Sequence, residues 1–273
     1  NSSDIPRFDK LNEYKDGELR FAEWHYGPQK RFLFSPQLKV FPKKKLFYKG
    51  YFTLAYQNIK ESRVSRKFEE LNRSHQNENV HVWSFNGDFE TQKSEKRSIA
   101  YGFEWVKNKV LSSAFSQELI LNGSQITGFS SPRSIPTRYP SAGSDYTSAA
   151  FYGNFKWDLS PKTTLTAGGR YTHTWLKARW ETNNGVYPQW LFDSPIGNLT
   201  AIDNVNDALT GSLSITYRPS TSWQLNFLAS SGFRSPNIDD LGKIRESRGI
   251  LLIPNPTLKP EYANNLDFGI SYF

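Results

Sequence analysis

The residues with the clearest chemical potential lie around one arginine. Arg234 ends an alternating stretch, and three carboxylates follow it at Asp239, Asp240 and Glu261. A guanidinium held in place presents a planar set of donors that suits an anionic ligand. The same group can instead pair with one of these carboxylates and anchor a loop, whose exit Pro236 fixes by restricting φ. We expect the anchoring role for Arg234, with ligand contact as the alternative.

No other set of residues has the spacing of a catalytic or metal site. The four histidines, His25, His75, His81 and His173, are far apart, and no ligand spacing resembles a zinc site. The chain has no cysteine, which excludes a disulfide framework, a thiolate nucleophile and a cysteine-ligated metal. Carboxylates are dispersed, and no glycine-rich phosphate loop follows a strand. We therefore expect neither enzymatic activity nor a cofactor or bound metal.

The composition is unusual for a water-soluble domain and typical of a membrane β-barrel. Aromatic residues make up 15% of the 273 residues, yet hydrophobic residues reach only 37% and the mean hydropathy is -0.63. Every second strand residue of a membrane barrel faces a polar lumen, which lowers the average hydropathy, while aromatic residues gather at the membrane interfaces. No apolar run approaches the roughly 18 residues of a spanning helix.

The positive charge does not indicate nucleic-acid binding. The formal net charge is +8, but lysines and arginines are scattered or lie in turns. Lys43, Lys44 and Lys45 form the only short basic run, between two strand-like segments. A nucleic acid needs a clustered basic face, so we expect no such partner and interpret this run as a solvated or headgroup-facing turn.

Alternation with a period of two residues predicts strands, because successive side chains of a strand point to opposite faces. In residues 149–157, Phe151, Phe155 and Trp157 share one parity and Asn154 has the other. The pattern recurs and predicts about nine strands of about 10 residues or more, longer than typical soluble strands. Polar residues predicted to face a lumen, and to form networks there rather than to contact a substrate, are Asn154, Lys156, Arg170, Asn226 and Asp267.

Short and long connections alternate between these strands. Brief turns follow strands one, three, five and seven, and long loops are expected at 66–77, 116–145, 181–205 and before the last strand. Residues 1–30 are expected to be loop with part of a strand. In the strand that begins at Val80, a shift of parity between Val82 and Trp83 predicts a β-bulge. Trp157 and Trp223 flank short turns. These features predict an all-β fold, a segment of a transmembrane antiparallel β-barrel with short periplasmic turns and long extracellular loops.

Two sequence boxes carry a family resemblance. Residues 232–237, Gly-Phe-Arg-Ser-Pro-Asn, resemble the "FRAP" box of TonB-dependent outer-membrane receptors, with Ser235 at the usual Ala. Residues 255–261, Asn-Pro-Thr-Leu-Lys-Pro-Glu, are similar to the family's "NPNL" box, with Thr257 at the usual second Asn. Residues 165–171 look like the family's recurring strand after a Ser-Pro-Lys turn. The box residues are Phe233, Arg234, Ser235, Pro236, Asn237, Asn255, Pro256, Leu258, Lys259, Pro260 and Glu261.

The resemblance implies both a fold and a function. Such receptors have a barrel of about 22 strands, an N-terminal plug inside it and a TonB-box upstream. They lie in the outer membrane of Gram-negative bacteria, in contact with its lipid, and take up scarce ligands with energy from the TonB complex. Residues 1–273 would then be a partial barrel, with the plug and the remaining strands absent. Phe273 is out of phase with Ile270 and Tyr272, so we expect the chain to stop inside a strand.

The ligand cannot be read from these residues, and the alternatives remain open. By family frequency an iron chelate such as a siderophore leads, with cobalamin or an oligosaccharide as alternatives. Haem receptors commonly carry a histidine between the two boxes, and none lies between Phe233 and Pro260 here, which weakens a haem ligand. The rival from another class is a secreted or surface all-β binding or adhesion module. A glycan-degrading enzyme would need paired carboxylates that converge in a cleft.

Overall fold

The protein is built almost entirely of antiparallel strands. The computed structural model describes residues 3–42, 46–91, 94, 96–181, 186–187, 201–247 and 250–273, so the predicted lysine-rich turn at 43–45 lies outside the described residues. Strand accounts for 70% of the structure and helix for 3%, which confirms the all-β prediction. No helix within these ranges is both long enough and apolar enough to cross a membrane.

Eight long strands form the body of one sheet. They are β7 (Lys49–Lys67), β8 (Asn72–Glu90), β9 (Arg97–Asn122), β12 (Ser144–Ser160), β13 (Thr163–Arg179), β14 (Ala201–Tyr217), β15 (Trp223–Arg234) and β18 (Glu261–Tyr272). The shorter elements are β1 (Ile5–Pro6), α1 (Phe8–Leu11), β2 (Tyr14–Lys15), β3 (Glu18–Leu19), β4 (Phe21–Tyr26), β5 (Lys30–Phe34), β6 (Gln37–Val40), β10 (Gln125–Phe129), β11 (Arg133–Ser134), α2 (Ile238–Leu241), β16 (Arg245–Ser247) and β17 (Ile250–Leu252).

The long strands pair in chain order, each antiparallel to the next. The sheet runs β4-β7-β8-β9-β12-β13-β14-β15-β18, and β5 and β6 also pair with β7. The pieces β4, β5 and β6 therefore share the ninth position across the sheet, in agreement with the predicted strand number. Residues 1–30, expected to be mostly loop, supply β1 to β4. The sheet does not close on itself and is an open antiparallel segment.

The two faces of the sheet differ in chemistry. One face, which we call the outward face, carries apolar side chains in register, such as Phe151 opposite Tyr171 and Tyr171 opposite Leu209. Phe151 is 66% exposed and Leu209 is 78% exposed. The opposite face, which we call the inner face, carries polar side chains, including Arg170 opposite Tyr152. Large apolar groups left this exposed need a partner other than water.

Tryptophans mark two rows on the outward face. Trp83, Trp105 and Trp175 form an upper row, and Trp157 and Trp223 form a lower row beside the short turns. Trp105 lies opposite Ala149, eight residues before Trp157 on β12. At about 3.3 Å per residue, the rows are about 26 Å apart along the strand. With strands tilted by about 40°, the two rows are about 20 Å apart along the membrane normal, which is comparable to the apolar band of a membrane barrel, about 25 Å tall.

The loop predicted at residues 66–77 is wrong. Strands β7 and β8 stay paired up to Ser65 and Ser74, and residues 68–71 alone join them. Both faces of this hairpin tip are polar, so the period-two contrast that reveals a strand disappears even though the backbone ladder continues. The chain thus extends beyond the upper tryptophan row as paired strand rather than as a long loop.

Two further loop boundaries change in the same direction. The loop predicted at 116–145 begins later, because β9 continues to Asn122 and is followed by the hairpin partner β10 and by β11. Within the predicted loop 181–205, β14 already begins at Ala201, and residues 182–185 and 188–200 lie outside the described part of the chain. The added part of β9 carries consecutive apolar residues at Leu119, Ile120 and Leu121, so it also lacks the alternation that reveals a strand.

The β-bulge predicted between Val82 and Trp83 is wrong. The register runs without a shift from Val82 opposite Gln57 to Trp83 opposite Tyr56, and it is equally regular toward β9. The parity seemed to change because Val82 is an apolar residue on the inner face. Trp83 lies on the outward face in phase with Phe85.

Candidate functional site

The segment between the two sequence boxes, residues 235–260, forms the centre of the candidate site, and we call it the inter-box segment. Its two ends leave neighbouring strands, because β15 ends at Arg234 and β18 begins at Glu261, directly opposite in the ladder. Both residues share the parity of the inner-face residues Asn226 and Asp267. The ladder therefore holds the ends of the segment together above the inner face.

Arg234 joins both ends of this segment to its first helix. Its Nη1 donates to Glu261 Oε1 at 3.0 Å, and its Nη2 donates to Asp240 Oδ2 at 2.8 Å. The hydrogen bond that Arg234 donates to Glu261 and the charge of Asp240 raise the pKa of Arg234 above its ordinary value. Asp240 and Glu261 are two of the three partners considered from the sequence. Because Arg234 donates to both, it holds the two ends of the segment and the helix together, as a loop anchor would.

Asn237 starts the helix α2 with a reciprocal cap. Its Oδ1 accepts hydrogen bonds from the backbone N–H groups of Asp239 at 2.8 Å and Asp240 at 3.1 Å. In return, Asp240 Oδ2 accepts from the backbone N–H of Asn237 at 3.1 Å. This capping box satisfies orphan donors at the start of the helix. The Asn of the first box thus has a local structural role.

Ser235 and the second box tie the segment to the inner face of β13 and β14. The Ser235 hydroxyl is 3.0 Å from Thr174 Oγ1 and accepts from Asn206 Nδ2 at 3.2 Å. In the second box, Asn255 Oδ1 accepts from the backbone N–H of Thr257 at 3.0 Å, which shapes a turn. Asn204 Nδ2 donates to the carbonyl of Leu258 at 3.4 Å.

An apolar cluster holds the inter-box segment against the sheet. Leu241 of α2 is 0% exposed and packs with residues of the inner face of β13 and β14. The cluster consists of Leu176, Ala178, Trp180, Tyr187, Ile202 and Leu241, with Tyr146, Val186, Ile238, Ile244, Ile253 and Leu258 against it. Ile253, near the start of the second box, is one of the partly buried residues packed against the cluster. The segment therefore lies over the inner face.

Asp239 connects the inter-box segment to the long connection after β9. Its Oδ1 accepts from Arg138 Nη2 at 3.2 Å and from the Tyr139 hydroxyl at 2.9 Å, and its Oδ2 accepts from Lys243 Nζ at 2.9 Å. Burial acts to raise the pKa of Asp239, but the bonds from Lys243 and Tyr139 outweigh it and the pKa lies below its usual range. Asp239, a candidate partner of Arg234, thus pairs with Arg138 instead.

Beside this network lies a buried carboxyl group with no hydrogen-bond partner in the described part of the chain. Glu78 is 6% exposed, and neither of its carboxyl oxygens has a partner among those residues. It projects from the inner face of β8, opposite Glu61 on β7 and Ser112 on β9. Arg63 Nη2 is engaged by Glu61 Oε1 at 2.8 Å. Ionisation of a buried carboxyl group without a hydrogen-bond partner costs free energy. Such a group therefore favours its protonated form or a hydrogen bond to a bound ligand.

Burial raises the pKa of Glu78 to about 7, because it removes water from the charged form. The positive charge of Arg63 opposes the shift, and the negative charge of Glu61 adds to it. Glu78 lies five residues beyond Trp83 along β8, outside the band between the two tryptophan rows. Sequence-based prediction missed this residue because it borders the stretch predicted to be a loop. Glu78 has the same parity as Val80 and Val82, and that pattern could have placed it on the same face of a strand.

The five predicted lumen residues all lie on the inner face, mostly in polar networks. Arg170 Nη2 donates to Glu104 Oε1 at 2.8 Å, and Asn226 Oδ1 accepts from Thr216 Oγ1 at 3.1 Å. Asn154 and Lys156 line a cavity of about 350 Å³ near the short turns. Asp267 accepts a hydrogen bond from Asn265 on the same strand.

All four histidines lie on the outward face. His25 and His75 both lie opposite Val64 on β7, from its two neighbouring strands. His81 has the same parity as Trp83 on β8, and His173 has the same parity as Trp175 on β13. Each has a local partner; for example, His81 Nδ1 is 2.9 Å from the Tyr56 hydroxyl and His173 Nδ1 is 2.5 Å from Asp207 Oδ1. No group of three or more His, Asp or Glu side chains within the described residues is arranged to hold a metal ion.

Known proteins match the chain at the level of family and fold. The family model described as "TonB dependent receptor-like, beta-barrel" matches residues 3–273. No curated protein sequence matches the chain. Among solved structures, the copper transporter OprC aligns with a TM-score of 0.65 at 13% identity, over 92% of this chain and 37% of that chain.

Two further structures give the same result. The Serratia marcescens hemophore receptor HasR, solved as a double mutant with its hemophore HasA and heme, aligns with a TM-score of 0.59 at 13% identity, over 90% of this chain and 36% of that chain. The ferric citrate transporter FecA in its unliganded form aligns with a TM-score of 0.54 at 14% identity, over 99% of this chain and 36% of that chain. The chain spans little more than a third of the length of these structures, and the likeness shows the fold.

Proposed function

The chain belongs to the family of TonB-dependent receptor β-barrels, and from that membership we propose that it is part of a receptor for energy-dependent ligand uptake across the outer membrane of a Gram-negative bacterium. The observation that carries the proposal is the contrast between the faces of the sheet. The outward face offers an apolar band between two tryptophan rows to lipid. The inner face offers polar networks to a water-filled lumen. Transport, rather than catalysis, is the proposed activity.

We propose that residues 1–273 form one segment of a larger barrel. The open sheet has unpaired edges, and a barrel in a membrane must leave none. Further strands, to a total of about 22, would satisfy both edges. The plug that fills the lumen, and the TonB-box through which the TonB complex delivers energy, would lie outside this segment. The likeness to little more than a third of each solved structure supports this division.

An iron chelate, such as a siderophore complex, is the proposed ligand. The similar structures include a ferric citrate transporter, a copper transporter and a hemophore receptor, so scarce metals recur among their cargoes. Direct histidine ligation of haem is disfavoured here, because all four histidines follow the outward parity. Cobalamin or an oligosaccharide remains the alternative cargo.

The inner face next to the inter-box segment is the proposed ligand-facing surface. Glu78 has two buried carboxyl oxygens without partners in the described chain, and the Nε atoms of Arg63 and Arg138 are buried without partners there as well. An anionic chelate could accept from the two guanidinium groups, and a protonated Glu78 could donate to it. These residues lie beyond the upper tryptophan row, on the side from which an extracellular ligand would arrive.

Uptake of a radiolabelled iron chelate by cells tests this function. Cells that make the complete receptor should accumulate ferric chelate, and deletion of its gene or of TonB should each reduce accumulation at least tenfold while surface binding survives the loss of TonB. Cobalamin and an oligosaccharide serve as the parallel substrates. Uptake that continues unchanged without TonB would contradict the proposal, and recovery of the protein as a soluble monomer in plain buffer would favour the secreted binding module.

A further inference from the structure

A trough lies on the outward face of β12, between β9 and β13. Its lower rung places Thr147 between Lys107 and Trp175, and the rung above it places Asp145 next to Lys177. The trough is an open depression of about 430 Å³, lined by Trp105, Lys107, Asp145, Thr147, Trp175 and Lys177. This group of residues is separate from the inner-face site beneath the inter-box segment.

The shape of the trough follows from side-chain size along three strands. Strand β12 contributes the small Thr147 to its floor, while the neighbouring strands contribute Trp105 on one side and Trp175 on the other. Trp105 is 37% exposed and Trp175 is 36% exposed, so each ring presents part of its surface to the space between them. On the side of the trough toward the short turns, Phe151 belongs to the apolar band.

The two lysines of the trough each form a long ion pair with a carboxylate and keep hydrogen-bond donors for a further anion. The Lys107 Nζ is 3.8 Å from Asp145 Oδ1, and the Lys177 Nζ is 3.6 Å from Asp203 Oδ2. Both separations exceed hydrogen-bond length, so neither ammonium group has committed a donor to these carboxylates. Each ammonium carries three donors. With Lys109 on the Asp145 rung, positive charges outnumber negative ones along this edge of the trough.

The position of the trough selects the kind of ligand. It begins at the upper tryptophan row, where the apolar band ends. Lys107 shares the rung of Trp175, and Lys177 lies on the next outward-facing rung beyond it. Aromatic rings with an apolar body and a polar edge favour the headgroup level of a membrane. Lysines at the same level attract anionic headgroups. A molecule that fills the trough would therefore have its charged part between the lysines and its apolar part along the band.

We propose that this trough binds the phosphorylated headgroup of a lipid in the outer leaflet, with phosphate oxygens between Lys107 and Lys177 and the headgroup body between Trp105 and Trp175. The inference rests on the proposed membrane location of the barrel. It assigns one lipid-binding site on the outer wall, in addition to the general contact between barrel and bilayer.

Binding of lipid A by the complete receptor, purified in detergent, tests the site. Lipid phosphate retained by the immobilised receptor is measured against added diphosphoryl lipid A, dephosphorylated lipid A and inorganic phosphate. Diphosphoryl lipid A should bind saturably to the wild-type receptor. The double variant K107Q/K177Q should weaken binding at least tenfold, and T147F, which fills the floor without changing charge, should weaken it similarly.

The matched control is K30Q/K60Q. Lys30 and Lys60 face each other across β5 and β7, so this variant removes two lysines from another part of the sheet. It should change the affinity less than twofold. Equal binding by K107Q/K177Q, equal binding of the dephosphorylated lipid, or equally tight binding of free phosphate would each overturn the proposed site. A receptor absent from the outer-membrane fraction would instead overturn the proposed function, so the two failures are distinguishable.

Discussion

Arg234 and Glu261 face each other at the last rung of the β15–β18 ladder, with Nη1 3.0 Å from Oε1. Each residue belongs to one of the two sequence boxes, so the boxes meet in space at the base of the segment that they enclose. Asp240 completes the contact from the first turn of α2. The boxes thus build a closed structural unit whose ends are joined by one guanidinium group.

Replacement of Arg234 by Gln should loosen the inter-box segment without unfolding the sheet. Arg234 is half exposed, and exposed ion pairs contribute little to global stability, so the melting temperature should stay within a few degrees. Limited proteolysis should cut residues 235–260 faster than in the wild type. The control is R31Q, which removes an arginine bonded to Gln57 at 2.6 Å on another strand pair. Unchanged protease resistance in R234Q would contradict the anchoring role.

Leu241→Ala should release the segment from the inner face. Leu241 is fully buried in the apolar cluster, and truncation of a buried leucine costs about 2–5 kcal/mol. Hydrogen exchange of the α2 backbone should accelerate accordingly, whereas L209A, at a residue 78% exposed on the outward face, should leave it unchanged. If α2 in L241A kept its wild-type protection, the segment would not depend on this packing.

The placement of the segment can also be tested by a disulfide. The chain has no cysteine, so an introduced pair reports on itself alone. The hydroxyl oxygens of Thr174 and Ser235 are 3.0 Å apart, and T174C/S235C should form an intramolecular disulfide under mild oxidation, seen as a mobility shift without reductant. T172C/S235C, displaced by two residues along the same face of β13, should form it far less. Equal cross-linking of both pairs would contradict the packing described.

Glu78 should make stability depend on pH between about 4.5 and 7. Its pKa is raised from 4.5 to about 7 in the folded protein, so its contribution to the free energy of unfolding is fully present below pH 4.5. That contribution is lost as the pH rises through 7, because the buried carboxyl group must then ionise. The loss amounts to at most about 3 kcal/mol.

Denaturant midpoints measured from pH 4 to 8 check this dependence. E78Q cannot ionise and should show a flatter profile and a higher midpoint than the wild type above pH 7. E118Q, at an exposed glutamate of β9, should follow the wild-type profile. Parallel profiles for E78Q and the wild type would show that Glu78 has found a partner.

The strand body could be predicted from the sequence where the two faces differ in polarity. Residues 149–157 alternate between apolar and polar side chains, and the structure pairs them along β12 and β13 as expected. The hairpin tip between β7 and β8 escaped prediction because both of its faces are polar. In that hairpin tip the backbone hydrogen bonds between β7 and β8 maintain the strands, and backbone hydrogen bonds do not require any pattern of side-chain polarity.

The candidate site was predictable for contacts made within and between the two sequence boxes. Asp240 lies six residues from Arg234, and both were linked from the sequence. The pair Arg138–Asp239 joins residues 101 positions apart, and it depends on how the connection after β9 folds back over the inner face. Glu78 becomes buried through the same long-range arrangement, which period and spacing do not encode.

The alternation of faces along β12 tests the central claim, that this sheet is the wall of a membrane barrel. Single cysteines at 151, 153, 155 and 157, and at 152, 154, 156 and 158, can be introduced into the cysteine-free receptor and labelled in intact outer membranes. The odd set should react with a lipid-soluble maleimide and resist a charged one, whereas the even set should react with the charged reagent. Equal reaction of both sets with the charged reagent would contradict the account.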